Sequence, residues 1–176
     1  LPAGVTGTFA AGVFTISGTP TETGTFFFNV TSTGVCGGAT EIGSITINPV
    51  LSGNTAGSDV TICEGTSTSL TGGPIAGGDG TYTYLWESST TPGGPYSPAT
   101  GVNNGSNYTT GNLLVDTYFI RTVTSGGCTD VSAEVAVTID PLPTASAGGS
   151  GTICSDEAVT VAGATATNGT ILWTHD

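Results

Sequence analysis

The chain has 176 residues, with thirteen acids against a single strong base, for a formal net charge of −12. So acidic a chain excludes a nucleic-acid partner, because phosphate binding needs clustered Lys and Arg. No apolar run approaches the ~18 residues of a helical membrane span, so membrane insertion is not expected either. Charged residues are only 8% and glycine occupies 29 positions, but regularly spaced aromatic and β-branched residues supply material for a core. The chain starts at Leu1 with no charged or apolar leader, which reads as a segment of something longer.

In chain order, residues 1–49 read as the C-terminal half of an Ig-like repeat. The reason is an internal match. GTFFFNVTSTGVC (24–36) lies over DTYFIRTVTSGGC (116–128), at an offset of 128 − 36 = 92. EIGSITINP (41–49) lies over AEVAVTIDP (133–141) at the same offset. Residues 50–141 then read as one complete repeat, with strands expected over 58–63, 67–72, 81–87, 117–125 and 131–139. Weaker ones are expected over 94–97 and 106–115. Within them Tyr82, Tyr84 and Trp86 alternate with polar residues, as do Tyr118, Ile120 and Thr122, and Val131, Ala133, Val135, Val137 and Ile139. Gly, Pro, Asn and Ser clusters separate the runs. Residues 142–176 open a further repeat: VTICEG matches GTICSD at 154 − 63 = 91, and Tyr84-Leu85-Trp86 matches Ile171-Leu172-Trp173 at 173 − 86 = 87. Pro49, Pro141 and Pro143 mark the junctions. About seven short strands per ~90 residues argue for a sandwich. The expected fold is therefore all-β, as tandem Ig-like β-sandwich repeats with a period of about 91 residues. Trp86, Tyr118 and Trp173 are the expected core aromatics, with Tyr118 placed like a tyrosine-corner residue.

The four cysteines lack any C-x₂-C pair, and the lone histidine, His175, is near the end, so a zinc site is not indicated. No base stands near to activate a thiol. Disulfides remain, and they imply an oxidising, secreted setting. Cys63 ends the first strand of the complete repeat and Cys128 sits in the turn entering its last strand; those strands can be neighbours in Ig-like sandwiches. Repeat logic thus favours Cys63–Cys128, closing a loop of 128 − 63 = 65 residues and contributing about 4 kcal/mol on the loop-entropy model. Cys36 and Cys154 would then pair outside the chain. The rival pairing, Cys36–Cys63 with Cys128–Cys154, would clamp domain to domain.

No nucleophile, base and orienter converge in the sequence, so no catalytic residue is assigned and the chain reads as non-enzymatic. Asp156 and Glu157 read as a solvated turn. No metal or cofactor is expected. Asp59, Asp79 and Asp140, with Glu64 and Asp130, fall near strand ends where calcium could gather carboxylates, but no Asp-x-Asp-x-Asp-Gly run exists. Tyr96 in PGGPYSP and Tyr108 in NNGSNY, with Asn103, Asn104 and Asn107, are candidates for glycan binding; the alternative is that Tyr108 enters the core and prolines pin a turn around Tyr96. Asn29, Asn104, Asn107 and Asn168 fit N-x-[ST], a short motif that carries little weight by itself.

Four phrases, of two repeat types, carry a family resemblance over nearly the whole chain. LPAGVTGTFAAGVFTISGTPTETGTFFFNVTSTGVCG (1–37) resembles repeats of very large Bacteroidota surface proteins. ICEGTSTSLTG, GDGTYTYLWESSTT and YFIRTVTSGGCTD resemble the neighbouring repeat type of the same proteins, which has a leading Ile-Cys and a Gly-Cys turn. That group includes the giant gliding-motility adhesin and other substrates of type IX secretion. The resemblance implies secretion, cell-surface display and an adhesive or spacer role, with neighbouring repeats, surface polysaccharide or another surface protein as partners. It also implies a cysteine upstream of residue 1 for Cys36. Bacteroidota attach O-glycans at short Asp-Thr motifs, which makes Asp116-Thr117 a weak match. The alternatives are a carbohydrate- or partner-binding Ig-like module and the non-catalytic spacer of a secreted enzyme.

Overall fold

The structure is a computed structural model and describes residues 1–174; His175, weighed above as the one imidazole, lies outside the described residues. Every regular element among them is a strand.

Two hairpins come first. β1 (Val5–Ala10) and β2 (Val13–Gly18) are joined by Ala11 and Gly12, both at positive φ (50° and 81°), the backbone that a two-residue hairpin turn requires. β3 (Gly24–Gly34) and β4 (Gly37–Ile47) pair over eleven residues each, from Gly24↔Ile47 to Gly34↔Gly37.

The central unit holds β5 (Val60–Cys63), β6 (Ser69–Leu70), β7 (Thr83–Ser89), β8 (Ser97–Pro98), β9 (Tyr108–Thr109), β10 (Thr117–Ser125), β11 (Cys128–Val131) and β12 (Val135–Asp140). Its main sheet runs β5-β12-β10-β7-β8, with β11 folded back on β10. A small second sheet, β6-β9, is lengthened by the bridge between Thr66 and Leu113. The two sheets close on one core. Trp86, Phe119, Val135 and Val137 come from the main sheet, Leu70 and Tyr108 from the small one, and Ala56 and Ala99 from flanking loops. Tyr108 is the centre: its ring lies 5.7 Å from that of Trp86 and 5.6 Å from that of Phe119. Each such side chain taken fully out of water contributes about 1.5–3 kcal/mol. The buried indole N–H is satisfied by Gly105 O at 3.0 Å. The protein is thus all-β, and this unit is an Ig-like sandwich.

Three expectations about the core change. First, β10 turns its other face inward. Thr117, Phe119, Arg121, Val123 and Ser125 are buried, and Tyr118, Ile120 and Thr122 are half-buried on the outside. Alternation identifies two faces without saying which is inner, and a charged residue in the middle of the true inner face disguised it. Tyr118 is therefore neither a core residue nor a corner residue; Tyr108 is the buried tyrosine whose hydroxyl bonds back to upstream backbone, at Thr100 O, 2.7 Å. Second, the expected last strand is split. Its alternation holds for Val135, Val137 and Ile139, but Val131 ends β11 and is exposed. Between β11 and β12, Ser132 is buried and bonds Arg121 in both directions, donating from its amide to Arg121 O and accepting at Oγ from Arg121 N. Third, Trp173 is 64% exposed. The segment after Pro141 offers only β13 (Thr144–Ser146) paired with β14 (Thr165–Thr167), too little surface to enclose an indole. The N-terminal hairpins behave alike: Phe27, at 119 − 27 = 92 from the buried Phe119, is 70% exposed because no second sheet faces it.

The chain enters and leaves the central sandwich at opposite poles. At entry, Pro49 O accepts from Gly78 N (2.8 Å) and Asn48 Nδ2 donates to Gly126 O (2.8 Å), beside the β10–β11 turn. At exit, Asp140 O accepts from Glu64 N (2.9 Å), beside the end of β5.

Candidate functional site

The cysteines are ordered by these poles. β5 is a direct neighbour of β12, so the expected adjacency of first and last strands is present. The pairing is parallel, however, in register Val60↔Val137 through Cys63↔Asp140. Cys63 therefore lies beside the end of the last strand, at the exit pole. Cys128 pairs with Ser125 at the entry pole. Between the two poles β10 spans Thr117 to Ser125, nine residues or about 30 Å at ~3.3 Å per residue, where a disulfide needs Cα atoms within ~7 Å. Cys63–Cys128 within one unit is thus excluded by strand direction, and all four cysteines are free thiols. The rival set fails too. Cys36 is at the tip of the β3–β4 hairpin, eleven residues of strand from Ile47, while Cys63 is at the exit pole of the central unit. Cys128 is at the entry pole, whereas Cys154 follows the exit-pole Pro141 in the chain.

Arg121 is the strongest constellation in the molecule, and it is structural. The only strong base in the chain is fully buried. Its Nε donates to Asn54 Oδ1 (2.9 Å), Nη1 to Ser106 O (2.7 Å) and Nη2 to Gly73 O (2.8 Å). The guanidinium also lies 5.4 Å from the Tyr84 ring centre and 5.8 Å from that of Trp86. Burial holds its pKa below the ordinary value, with Tyr84 opposing. Asn54 in turn donates to Arg121 O and Asp130 O, both at 3.0 Å. One side chain thereby ties the Asn54 segment, the 72–73 loop and the 103–107 loop to the main sheet. Sequence reasoning missed this role. The signal available was a lone Arg on an apolar strand of an otherwise base-free chain.

The calcium candidates do not converge. Asp79 Oδ1 accepts from Thr81 N (2.8 Å) and Ser125 Oγ (2.9 Å) near the entry pole. Asp59 Oδ1 accepts from Ala136 N (2.8 Å), and Asp140 is at the exit pole. Among the described residues no group of three or more His, Cys, Asp or Glu is placed to hold a metal ion. These carboxylates cap strand ends. The Asp79 pKa is lowered, first by the Thr81 amide and then by the Ser125 hydroxyl.

The glycan candidates are dispersed as well. Tyr108 is 2% exposed in the core. Tyr96 donates its hydroxyl to Glu134 Oε2, which also accepts from Gly93 N, so its ring pins the 93–96 turn to the strand junction. Burial and then Glu134 push its pKa up to about 12. Asn103 is spent on Ala99 O and Asn107 accepts from Gly72 N, while Asn104 is exposed. Thr117 is buried and bonded to Val115 O, so Asp116-Thr117 presents no open acceptor hydroxyl. Asp156 and Glu157 form a turn, with Glu157 N bonded to Cys154 O.

Residues 52–141 match the model of a family described as "Domain of unknown function (DUF8696)". The chain belongs to the DUF8696 family. The matched stretch is the central unit and ends at its exit-pole proline, so the Arg121 staple and both pole cysteines of that unit lie within the DUF8696 region. No curated protein matches the chain. A solved structure, the crystal structure of an Fn3-like protein from Clostridium thermocellum, is 26% identical over 53% of this chain and 96% of its own, with a TM-score of 0.40.

Proposed function

We propose that this DUF8696 chain is a segment of the stalk of a large secreted bacterial adhesin, in which sandwich units follow one another end to end at the cell surface. The observation that carries the reading is the placement of Pro49 and Pro141 at opposite poles of the central sandwich. A unit whose chain enters at one end and leaves at the other extends a filament, by roughly 35–45 Å per unit for strands of ~10 residues plus loops. The internal offsets near 91, the exposed Phe27 and Trp173 at positions matching buried Phe119 and Trp86, and the family resemblance of both repeat types support it. The acidic, lysine-free surface suits a soluble, self-repelling spacer. The unit acts mechanically and carries no reaction, and export by the type IX route with a role in gliding or adhesion belongs to the same proposal. Nothing in the geometry favours the glycan-binding alternative, since its two tyrosines serve the core and a turn.

Small-angle scattering of the full chain tests the arrangement. A compact globule of this length has a radius of gyration of about 16 Å. A value well above that is expected, and one near it would end the stalk reading. A glycan array probed with the chain should be silent; binding abolished by Tyr96→Ala would restore the glycan-binding alternative.

A further inference from the structure

The central unit carries two cysteines, and the fold sends them to opposite poles. We propose that successive units are joined by a disulfide across every junction, between the cysteine ending β5 of one unit and the cysteine beginning β11 of the next. The inference rests on the end-to-end reading above and assigns the cysteines within it.

The register supplies the geometry. Cys63 is the strand partner of Asp140. Asp140 corresponds to Asn48, at 140 − 48 = 92. In a preceding unit built the same way, the Ile-Cys cysteine would therefore lie beside Asn48, one strand spacing of about 4.8 Å away. Asn48 and Pro49 also touch the central unit at its entry pole. Asn48 Nδ2 donates to Gly126 O at 2.8 Å, and Cys128 Sγ is 3.9 Å from Pro49 O. Both cysteines thus approach the same two residues, Asn48 and Pro49, and a disulfide between them requires Cα atoms ~4.4–6.8 Å apart. Within one unit the same two positions are about 30 Å apart. The exit pole repeats the arrangement from the other side. Cys63 is exposed there, next to a concavity of about 680 Å³ lined by Glu64, Leu114, Val115, Asp116, Ile139 and Pro141. Leu114 and Val115 are 67% and 56% exposed in it, apolar surface that a following entry pole would cover. Both positions recur: Cys36 answers Cys128 and Cys154 answers Cys63.

Bond formation takes two protons and two electrons from the thiols. A small disulfide such as oxidised glutathione accepts them and leaves as two thiols.

The test is the full chain with residues 50–141 duplicated in tandem, which places a complete junction inside one molecule. In the junction variant, Cys→Ser changes leave only Cys63 of the first copy and Cys128 of the second. In the control, only Cys63 and Cys128 of the same copy remain. With oxidised glutathione, non-reducing peptide mapping should find the crosslink in the junction variant and not in the control. A crosslink in the control alone overturns the proposal. So do two free thiols in a junction variant whose melting enthalpy shows two folded sandwiches. If the duplicated protein gains no second folded sandwich, the end-to-end reading fails first and the disulfide falls with it.

Discussion

Replacing Arg121 by methionine keeps its bulk and apolar stem and removes the charge, so it isolates what the guanidinium does. Three donors disappear, those to Asn54 Oδ1, Ser106 O and Gly73 O. Hydrogen bonds to a charged group contribute about 1.5–3 kcal/mol each. Against that gross loss stands the relief of no longer desolvating a charge. In buried ion clusters that relief can make a hydrophobic replacement neutral, because both partners are replaced together. Here two of the three acceptors are backbone carbonyls, which no substitution at residue 121 can remove. The net loss expected is about 4 kcal/mol, within the ~3–5 that follows when one side of a buried pair is removed. For a ~90-residue sandwich that lowers the melting temperature by roughly 15–30 °C, a large part of the ~5–15 kcal/mol such domains possess. Urea unfolding followed by tryptophan fluorescence reads it directly, because Trp86 is buried and Trp173 is already exposed. Arg121→Lys should recover little, since a point ammonium cannot meet three diverging acceptors. If Arg121→Met unfolds within about 1 kcal/mol of the parent, the staple carries none of the stability argued for it.

Gly72→Ala should act on the same staple from the other side, because an added methyl would collide with Arg121 Nη1 and Ser106 O; a loss of about 2–4 kcal/mol is expected in the same urea assay, and an unchanged midpoint would show that the guanidinium can move at no cost. Ultraviolet titration should find one tyrosine ionising near pH 12, and Glu134→Gln should bring that step part of the way back towards 10; no late-titrating tyrosine would break the Tyr96–Glu134 contact. Asp79 has a lowered pKa, so its support is fully present above the ordinary value of 3.8 and is lost as pH falls through the lower folded value. Asp79→Ala should therefore melt below the parent at neutral pH and converge with it in stronger acid, and parallel curves of melting temperature against pH would refute the capping role.

How legible the protein was depends on which residues are considered. The strand at 117–125 could be read to the residue, because nine alternating side chains stand between turn formers at both ends. Its inner face could not, since Arg121 sits among the residues that define it. Tyr82, Tyr84 and Trp86 were placed on one face, and the guanidinium does lie over both Tyr84 and Trp86. The break at Ser132 left no pattern in the sequence: Val131 and Ala133 continue the alternation that the backbone abandons. For Cys63 and Cys128, strand adjacency was foreseeable from the fold class, but strand direction was not, and direction decides which pole each thiol reaches. Tyr108 and Tyr96 stand in similar Gly- and Asn- or Pro-rich surroundings; only packing separates the one at the centre of the core from the one holding a turn.

The parallel pairing of β5 with β12 has a mechanical consequence. A pull on the chain at Pro49 drags the start of β5 towards one end of the sandwich, and a pull at Pro141 drags the end of β12 towards the other. Because the two strands point the same way, the load slides one along the other and strains their ladder from Val60↔Val137 to Cys63↔Asp140 together. An antiparallel pair loaded from adjacent ends would instead unzip one bond at a time. Tension along the chain therefore meets the sandwich in shear, the direction in which a short ladder is hardest to part.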